Sequence, residues 1–299
     1  MFKLFISLSL VLIGFSSYAQ DRGFLEYCNA ELGEITRAEA ITVGYLKLSL
    51  KYKGPMPFKI STKRVYGENG EVLREMEGVP SFFWYAHPSD FKKKFSSTEE
   101  IENYLLSVFE NKSKCERMNE KLQTVVENME LSMPPIIGRD GEIIPFKLTT
   151  LAPLNHAAKL KRLNVIGHDV SGVGMPVLTL PSLEELKMTR SRVKDINFLK
   201  NLKSLKILAL GRNYIKDISA LENLFNLEDV ELYGNKIKDL SPLEGLTNIF
   251  YLSLGGNYLT DISPLENLVK LNFLSVQSNL RITGEYGVVC RQSRVLVGV

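Results

Sequence analysis

Apolar residues recur every twenty-two positions between about Ala157 and Ile282. Leu208, Val230, Leu252 and Leu274 stand 22 apart, each in the same local frame. Written out, Leu202–Leu205–Leu208–Leu210–Asn213–Ile215–Ile218–Leu221 recurs as Leu224–Leu227–Val230–Leu232–Asn235–Ile237–Leu240–Leu243. It recurs again as Leu246–Ile249–Leu252–Leu254–Asn257–Leu259–Ile262–Leu265. Such self-similarity predicts a solenoid, in which each unit hides its apolar face only by stacking on its neighbours. Two earlier copies are imperfect. In one, His168 stands where Asn is expected; in the next, Ser191 does, and one extra residue falls between Val170 and Pro181.

Within the frame, Leu208 and Leu210 are two apart, so on a strand both point into the core, and 207, 209 and 211 point the other way. Asn213, Asn235, Asn257 and Asn279 follow each strand, where the chain turns back. Their amides are expected to form a structural ladder that pairs buried backbone groups, each of which would cost about 1–3 kcal/mol if left alone. The return limb carries Ser219-Ala-Leu-Glu222, Ser241-Pro-Leu-Glu244 and Ser263-Pro-Leu-Glu266, the form of a capping box, with Pro242 and Pro264 expected at the first helical position. Each repeat therefore predicts one short strand and one helical turn.

These residues resemble the bacterial leucine-rich repeats of the internalin type, with their Leu-x-x-Leu-x-Leu-x-x-Asn and Asp-Ile-Ser-Pro-Leu motifs, over about residues 150–283. The resemblance implies an α/β fold, a curved solenoid with short parallel strands on the concave face and helical turns on the convex face, which binds protein partners on the concave face. It does not extend to Gln20–Leu148, and the chain shows neither a Leu-Pro-x-Thr-Gly motif nor a trailing immunoglobulin-like module, so a host-receptor role is not implied.

No repeat is found before about Glu130. Tyr45–Lys53 alternates apolar and polar residues, which predicts a half-buried strand. Phe58–Tyr66 and Glu71–Met76 flank Asn69-Gly70, a hairpin signal, and Ser81–Ala86 reads as a further strand. Ser97–Asn128 reads as helix capped by Thr98, with a break near Asn111–Ser113. These elements predict a small α+β domain. The expected division is a signal peptide over 1–19, the α+β domain over 20–148, the solenoid over 149–283 and a C-terminal cap over 284–299.

The signal peptide rests on Lys3, the apolar run Leu4–Phe15 and small residues before an expected cut after Ala19. That run is short of the ~20 residues that span a bilayer. The mature chain is thus expected to be exported, periplasmic or secreted, with no transmembrane segment. In an oxidising compartment Cys28 and Cys115, both outside the repeats, are the expected disulfide pair. Cys290 is left as a buried thiol or an intermolecular link.

A net charge of +3 over 299 residues gives no reason to expect a nucleic-acid partner. No phosphate loop, metal-binding spacing or cofactor motif occurs, and His87, His156 and His168 lack the partners of a catalytic constellation. Asp195, Asp217, Asp239 and Asp261 form an acidic column whose simplest role is to fix the return loop; one carboxylate per repeat falls short of the six to eight oxygens that calcium takes. No catalysis and no cofactor are expected.

The outward strand positions form three columns. The first is Arg162, Glu185, Ile207, Asp229, Tyr251 and Phe273; the second is Asn164, Lys187, Ala209, Glu231, Ser253 and Ser275; the third is Ile166, Thr189, Gly211, Tyr233, Gly255 and Gln277. Core packing requires no aromatic at 233, 251 or 273, and Asp229 and Glu231 lie beside them. Aromatics next to charge have the composition of an interface hot spot. The expectation is a protein-interaction module whose ligand sits on Asp229, Glu231, Tyr233, Tyr251 and Phe273. The alternative is an enzyme or inhibitor activity in residues 20–130, with the repeats as a targeting module.

Overall fold

The computed structural model describes residue 22, residues 24–50, 95–124, 126–131, 147–172 and 175–279, together with the strands at 56–58, 63–66, 72–76, 81–83, 136–137, 143–144 and 294–296. The expected signal peptide, the Asn69-Gly70 turn, the aromatic run around Trp84, His87 and Cys290 lie outside the described residues.

Six of the repeat strands follow one another in a parallel sheet: β8 (Arg162–Asn164), β9 (Glu185–Lys187), β10 (Ile207–Ala209), β11 (Asp229–Glu231), β12 (Tyr251–Ser253) and β13 (Phe273–Ser275). The register carries Leu163, Leu186, Leu208, Val230, Leu252 and Leu274 across the sheet as partners. All six are essentially inaccessible, and each contributes roughly 1.5–3 kcal/mol of burial. A leucine-rich repeat solenoid is therefore the architecture of this part of the chain. One further strand joins at each end. β5 (Asn128–Glu130) pairs with β8 and β14 (Arg294–Leu296) with β13, both parallel. Met129 and Leu131 fill the frame of Leu208 and Leu210, so the sheet begins before the first recognisable repeat.

Between strands the chain makes 3-10 turns at Ala152–Leu154, Asn197–Leu199, Ser219–Leu221, Ser241–Leu243 and Ser263–Leu265. The capping-box reading does not hold. The cap residues are Leu151, Ile196, Ile218, Leu240 and Ile262, with no side-chain cap hydrogen bond. Pro242 and Pro264 thus take the second position of the turn, not the first. The work expected of serine is done one step earlier by aspartate. Asp217 Oδ1 accepts from the Ser219 N–H (2.8 Å), Asp239 Oδ1 from Ser241 (2.9 Å) and Asp261 Oδ1 from Ser263 (2.8 Å). A turn of three residues leaves few orphan donors, and a carboxylate two residues back reaches the one that matters.

Among the described residues, four helices precede the repeats: α1 (Phe24–Asn29), α2 (Arg37–Leu50), α3 (Thr98–Glu110) and α4 (Cys115–Thr124). Of the expected strand over Tyr45–Lys53, the described part, Tyr45–Leu50, is instead the end of α2. Every described residue from Ala40 to Leu50 is buried, so apolar side chains face all round and no helical stripe shows. The polar residue at 47 then mimics a period of two. Lys47 is buried, and its Nζ donates to the carbonyls of Phe109 (2.9 Å) and Asn111 (2.8 Å) at the end of α3. A cation there meets the negative end of the helix dipole, while burial lowers the Lys47 pKa to about 8. Gly44 lets the two helices touch, because a Cβ there would lie 2.2 Å from the Leu105 carbonyl oxygen.

The break near Asn111–Ser113 separates α3 from α4, as the sequence suggests, but the cap of α3 is Ser97, not Thr98: its side chain accepts from the Glu100 N–H. Ser97 is the residue whose extended backbone aims its hydroxyl at the third helical N–H. β2 (Lys63–Tyr66) and β3 (Val72–Met76) form the expected antiparallel pair, and β4 (Ser81–Phe83) pairs with β1 (Met56–Phe58). The helices share one continuous apolar cluster with the repeats, and the Thr42 hydroxyl donates to the Thr150 carbonyl (3.3 Å).

Candidate functional site

Each repeat strand is three residues long, so it displays two outward side chains and buries the one between them. The outward residues of β12 and β13 set the most apolar part of the face. Tyr251 and Phe273 are register partners, and their rings stack with centroids 4.3 Å apart and planes within 4°. Both remain half-buried, and the core beneath them is already filled by Leu252 and Leu274. Offset parallel rings at this distance attract each other by roughly 0.5–1.5 kcal/mol. The two side chains therefore form a preset flat platform.

Tyr233 lies on the third column, in the preceding repeat. Its ring covers Gly211 of the preceding repeat, where a Cβ would come within 2.3 Å of it. Glu231 is half-buried beside it, whereas Asp229, between Ile207 and Tyr251 in the register, is only 2% exposed. Of the five expected contact residues, Tyr233, Tyr251, Phe273 and Glu231 are thus partly open to solvent and Asp229 forms the floor. Toward the N-terminal end, charge is self-compensated: Glu185 pairs with Arg162 (3.4 Å) and with Lys187.

The asparagine column has a structural task. Asn213 Nδ2 donates to the Met188 and Leu210 carbonyls (2.9 and 2.8 Å), and its Oδ1 accepts from the N–H groups of Ser191 and Val193 (2.9 and 3.0 Å). Asn235, Asn257 and Asn279 repeat the donation one turn further on each time. His168 performs the same task at the start. Nδ1 accepts from the Leu148 N–H (3.0 Å) and Nε2 faces the Leu131 carbonyl, which makes Nε2 the protonated nitrogen. Leu131 follows β5 as Met188 follows β9, so the imidazole reaches the carbonyl that an asparagine would address in a regular repeat. Burial lowers its pKa to about 4, and the ring is neutral at physiological pH.

Cys28 and Cys115 are joined as a disulfide with their Cα atoms 5.8 Å apart, tying α1 to α4. His156 sits on a left-handed turn beside Asn155. Among the described residues no group of three or more His, Cys, Asp or Glu side chains is placed to hold a metal ion, and no helix is long and apolar enough to cross a membrane.

One surface escaped the sequence reading. The residues that follow the ladder position are Arg192, Tyr214, Lys236 and Tyr258, and they line the edge of the solenoid with Tyr214 and Tyr258 nearly half exposed. Their signal was present at the repeat period, one place beyond the asparagines.

No family model matches the chain, and no curated protein matches it. Among solved structures it is similar to internalin C2 of Listeria monocytogenes, with 26% identity over 60% of this chain and 73% of that one, at a TM-score of 0.48. It is also similar to the internalin InlF of the same organism, with 26% identity over 54% of this chain and a TM-score of 0.43; there it spans half of the other chain. The leucine-rich-repeat ectodomain of a receptor kinase from Arabidopsis thaliana matches 43% of this chain and 74% of its own, at 23% identity and a TM-score of 0.33.

Proposed function

We propose that this protein is an exported, non-catalytic module that holds a protein partner on the concave face of its repeats. The stacked Tyr251–Phe273 pair carries the reading. It is large, rigid and half open, and the core does not need it. Aromatic platforms of this kind supply contact area at little cost in side-chain freedom and dominate the energetics of protein interfaces. Tyr233 extends the platform along the same face. Glu231 gives its border a negative charge, with Asp229 buried beneath, so the fitting partner presents an apolar group with Lys or Arg beside it. Export is supported by the Lys3, apolar-run and Ser17-Tyr18-Ala19 order and by the joined cysteines, since disulfides persist in oxidising compartments.

Partner capture from the native envelope or culture fluid, followed by titration, tests the site. Tyr251→Ala and Phe273→Ala are expected each to weaken binding by about 1–3 kcal/mol with little change in stability, no more than the loss of the ring stack brings. Full affinity in the double variant would move the partner site to the N-terminal region. Intact-mass measurement of the exported protein is expected to show a chain beginning at Gln20; a mature form that retains Phe5–Phe15 would overturn the export reading.

A further inference from the structure

Beside the sheet, along the edge where the chain leaves the asparagine ladder, runs an open groove of about 820 Å³. Arg192, Lys194, Tyr214, Lys216, Asp217 and Lys236 line it, with Asp169 and Ser171 at one end, so cations outnumber carboxylates four to two. Arg192 is held by Asp169 (2.9 Å). Lys194, Lys216 and Lys236 make no ion pair with any described residue. The Lys236 ammonium lies 5.4 Å from the centroid of the Tyr214 ring, whose side chain is 45% exposed. Three ammonium groups without an ion pair share this groove with an open aromatic ring, an arrangement that suits an anionic ligand with a flat apolar face.

The spacing narrows the class. Two columns line the groove, Arg192, Tyr214 and Lys236 in one and Lys194 and Lys216 in the other, each advancing one repeat at a time beside strands about 4.8 Å apart. Successive units of a pyranose chain advance by about one such step. An extended acidic peptide places side chains on one face only every second residue, about 6.6 Å apart, and falls out of register. Ser171 and Asp217 at the groove offer oxygen acceptors to sugar hydroxyls. Tyr214 offers its ring to the C–H face of a pyranose.

We propose that this groove binds an acidic oligosaccharide, a chain of pyranoses bearing carboxylates, with Lys194, Lys216 and Lys236 on the acid groups and Tyr214 under a sugar ring. The site lies on the edge of the solenoid, away from the stacked platform of β12 and β13, so one molecule is able to hold a glycan and a protein partner together.

The test is calorimetric titration of the full mature chain, at low ionic strength, with a hexamer of galacturonic acid, its methyl ester and hexaglutamate. The galacturonate hexamer is expected to bind, the ester and the peptide at least about tenfold more weakly, and added salt to weaken the acid form. Lys216→Glu with Lys236→Glu is expected to remove binding. Tyr214→Ala is expected to weaken the saccharide about tenfold and to leave any residual hexaglutamate binding unchanged. Melting curves of the variants confirm that they are folded, and Tyr251→Ala with Phe273→Ala serves as the control that leaves saccharide binding intact. Equal binding of hexaglutamate or of the ester, no binding of the acid hexamer, or loss in the Tyr251/Phe273 control would each overturn the proposal.

Discussion

Asn235 and Lys47 do the same job in two regions of the molecule. Each is a buried polar side chain that keeps main-chain carbonyls from going unpaired. Asn235 donates to Leu210 and Leu232 and has near-copies 22 residues away on both sides. Lys47 serves the end of one helix, and Lys121 and Lys112 serve the Leu50 and Ala30 carbonyls at the ends of two others, at no fixed spacing along the chain. The repeats meet a recurring need with a recurring residue, so any one solution is backed by its neighbours. The helical region solves each problem in its own place, with separate lysines, a glycine contact at Gly44 and the Cys28–Cys115 crosslink. Regularity spreads risk, whereas a single-copy core concentrates it.

The comparison is broken most forcefully at its regular end. Leu252 is fully buried between Val230 and Leu274, so Leu252→Asp is expected to cost at least about 4 kcal/mol, because an unpaired carboxylate is forced into the core. Limited proteolysis and urea melts report it; an unaltered transition would refute the register. Loss of the crosslink comes next. Replacing Cys28 and Cys115 by serine is expected to destabilise by about 2–4 kcal/mol. Since both regions share one apolar cluster, a single lowered transition is expected; a new early transition with the original one unmoved would show that the regions melt independently.

Acid sharpens the contrast at the joint. The unfolded chain protonates His168 near pH 6.5, while the folded chain resists until about 4. Between those values the unfolded state carries the extra proton, so stability falls as pH drops from about 6.5 to about 4, by at most about 3 kcal/mol. The loss begins below the unfolded value and is complete near the folded one. His168→Gln removes this pH-dependent part, measured by denaturant melts across the window. The smallest effect is expected within the ladder. Asn235→Ala leaves the Ile215 N–H unpaired, while the Leu210 and Leu232 carbonyls each lose one donor and keep Asn213 and Asn257; the cost is about 1–3 kcal/mol, with hydrogen exchange quickening at repeats on either side and not in α2. Uniform quickening over the whole chain would deny the ladder its local character.

The same contrast explains what the sequence revealed. Leu208, Val230, Leu252 and Leu274 were legible because a fixed period multiplies a weak signal, and the asparagine ladder followed from that frame. α2 was misread because burial on every side erases the helical stripe on which such readings depend. β5 was overlooked because Met129-x-Leu131 stands 34 residues ahead of Leu163-x-Val165, outside the period. His168 was seen only as a departure from asparagine, since its longer reach becomes meaningful once Leu131 is placed. On the face, the aromatic trio could be read from alternation alone. That Asp229 lies deep and Tyr251 stacks on Phe273 depends on side-chain packing, which no pattern of types specifies.

The ladder also makes the protein's length adjustable. Each asparagine reaches back by a constant 20 and 25 residues, so whole 22-residue units are interchangeable parts, and adding or removing one leaves every remaining amide with the partners it had. His168 is the exception, because it is fitted to a carbonyl outside the period and cannot be shifted. A lineage carrying this gene is thus free to lengthen or shorten its recognition surface by duplication or loss in the middle of the array, while the end that receives the imidazole stays fixed as the anchor from which all copies are counted.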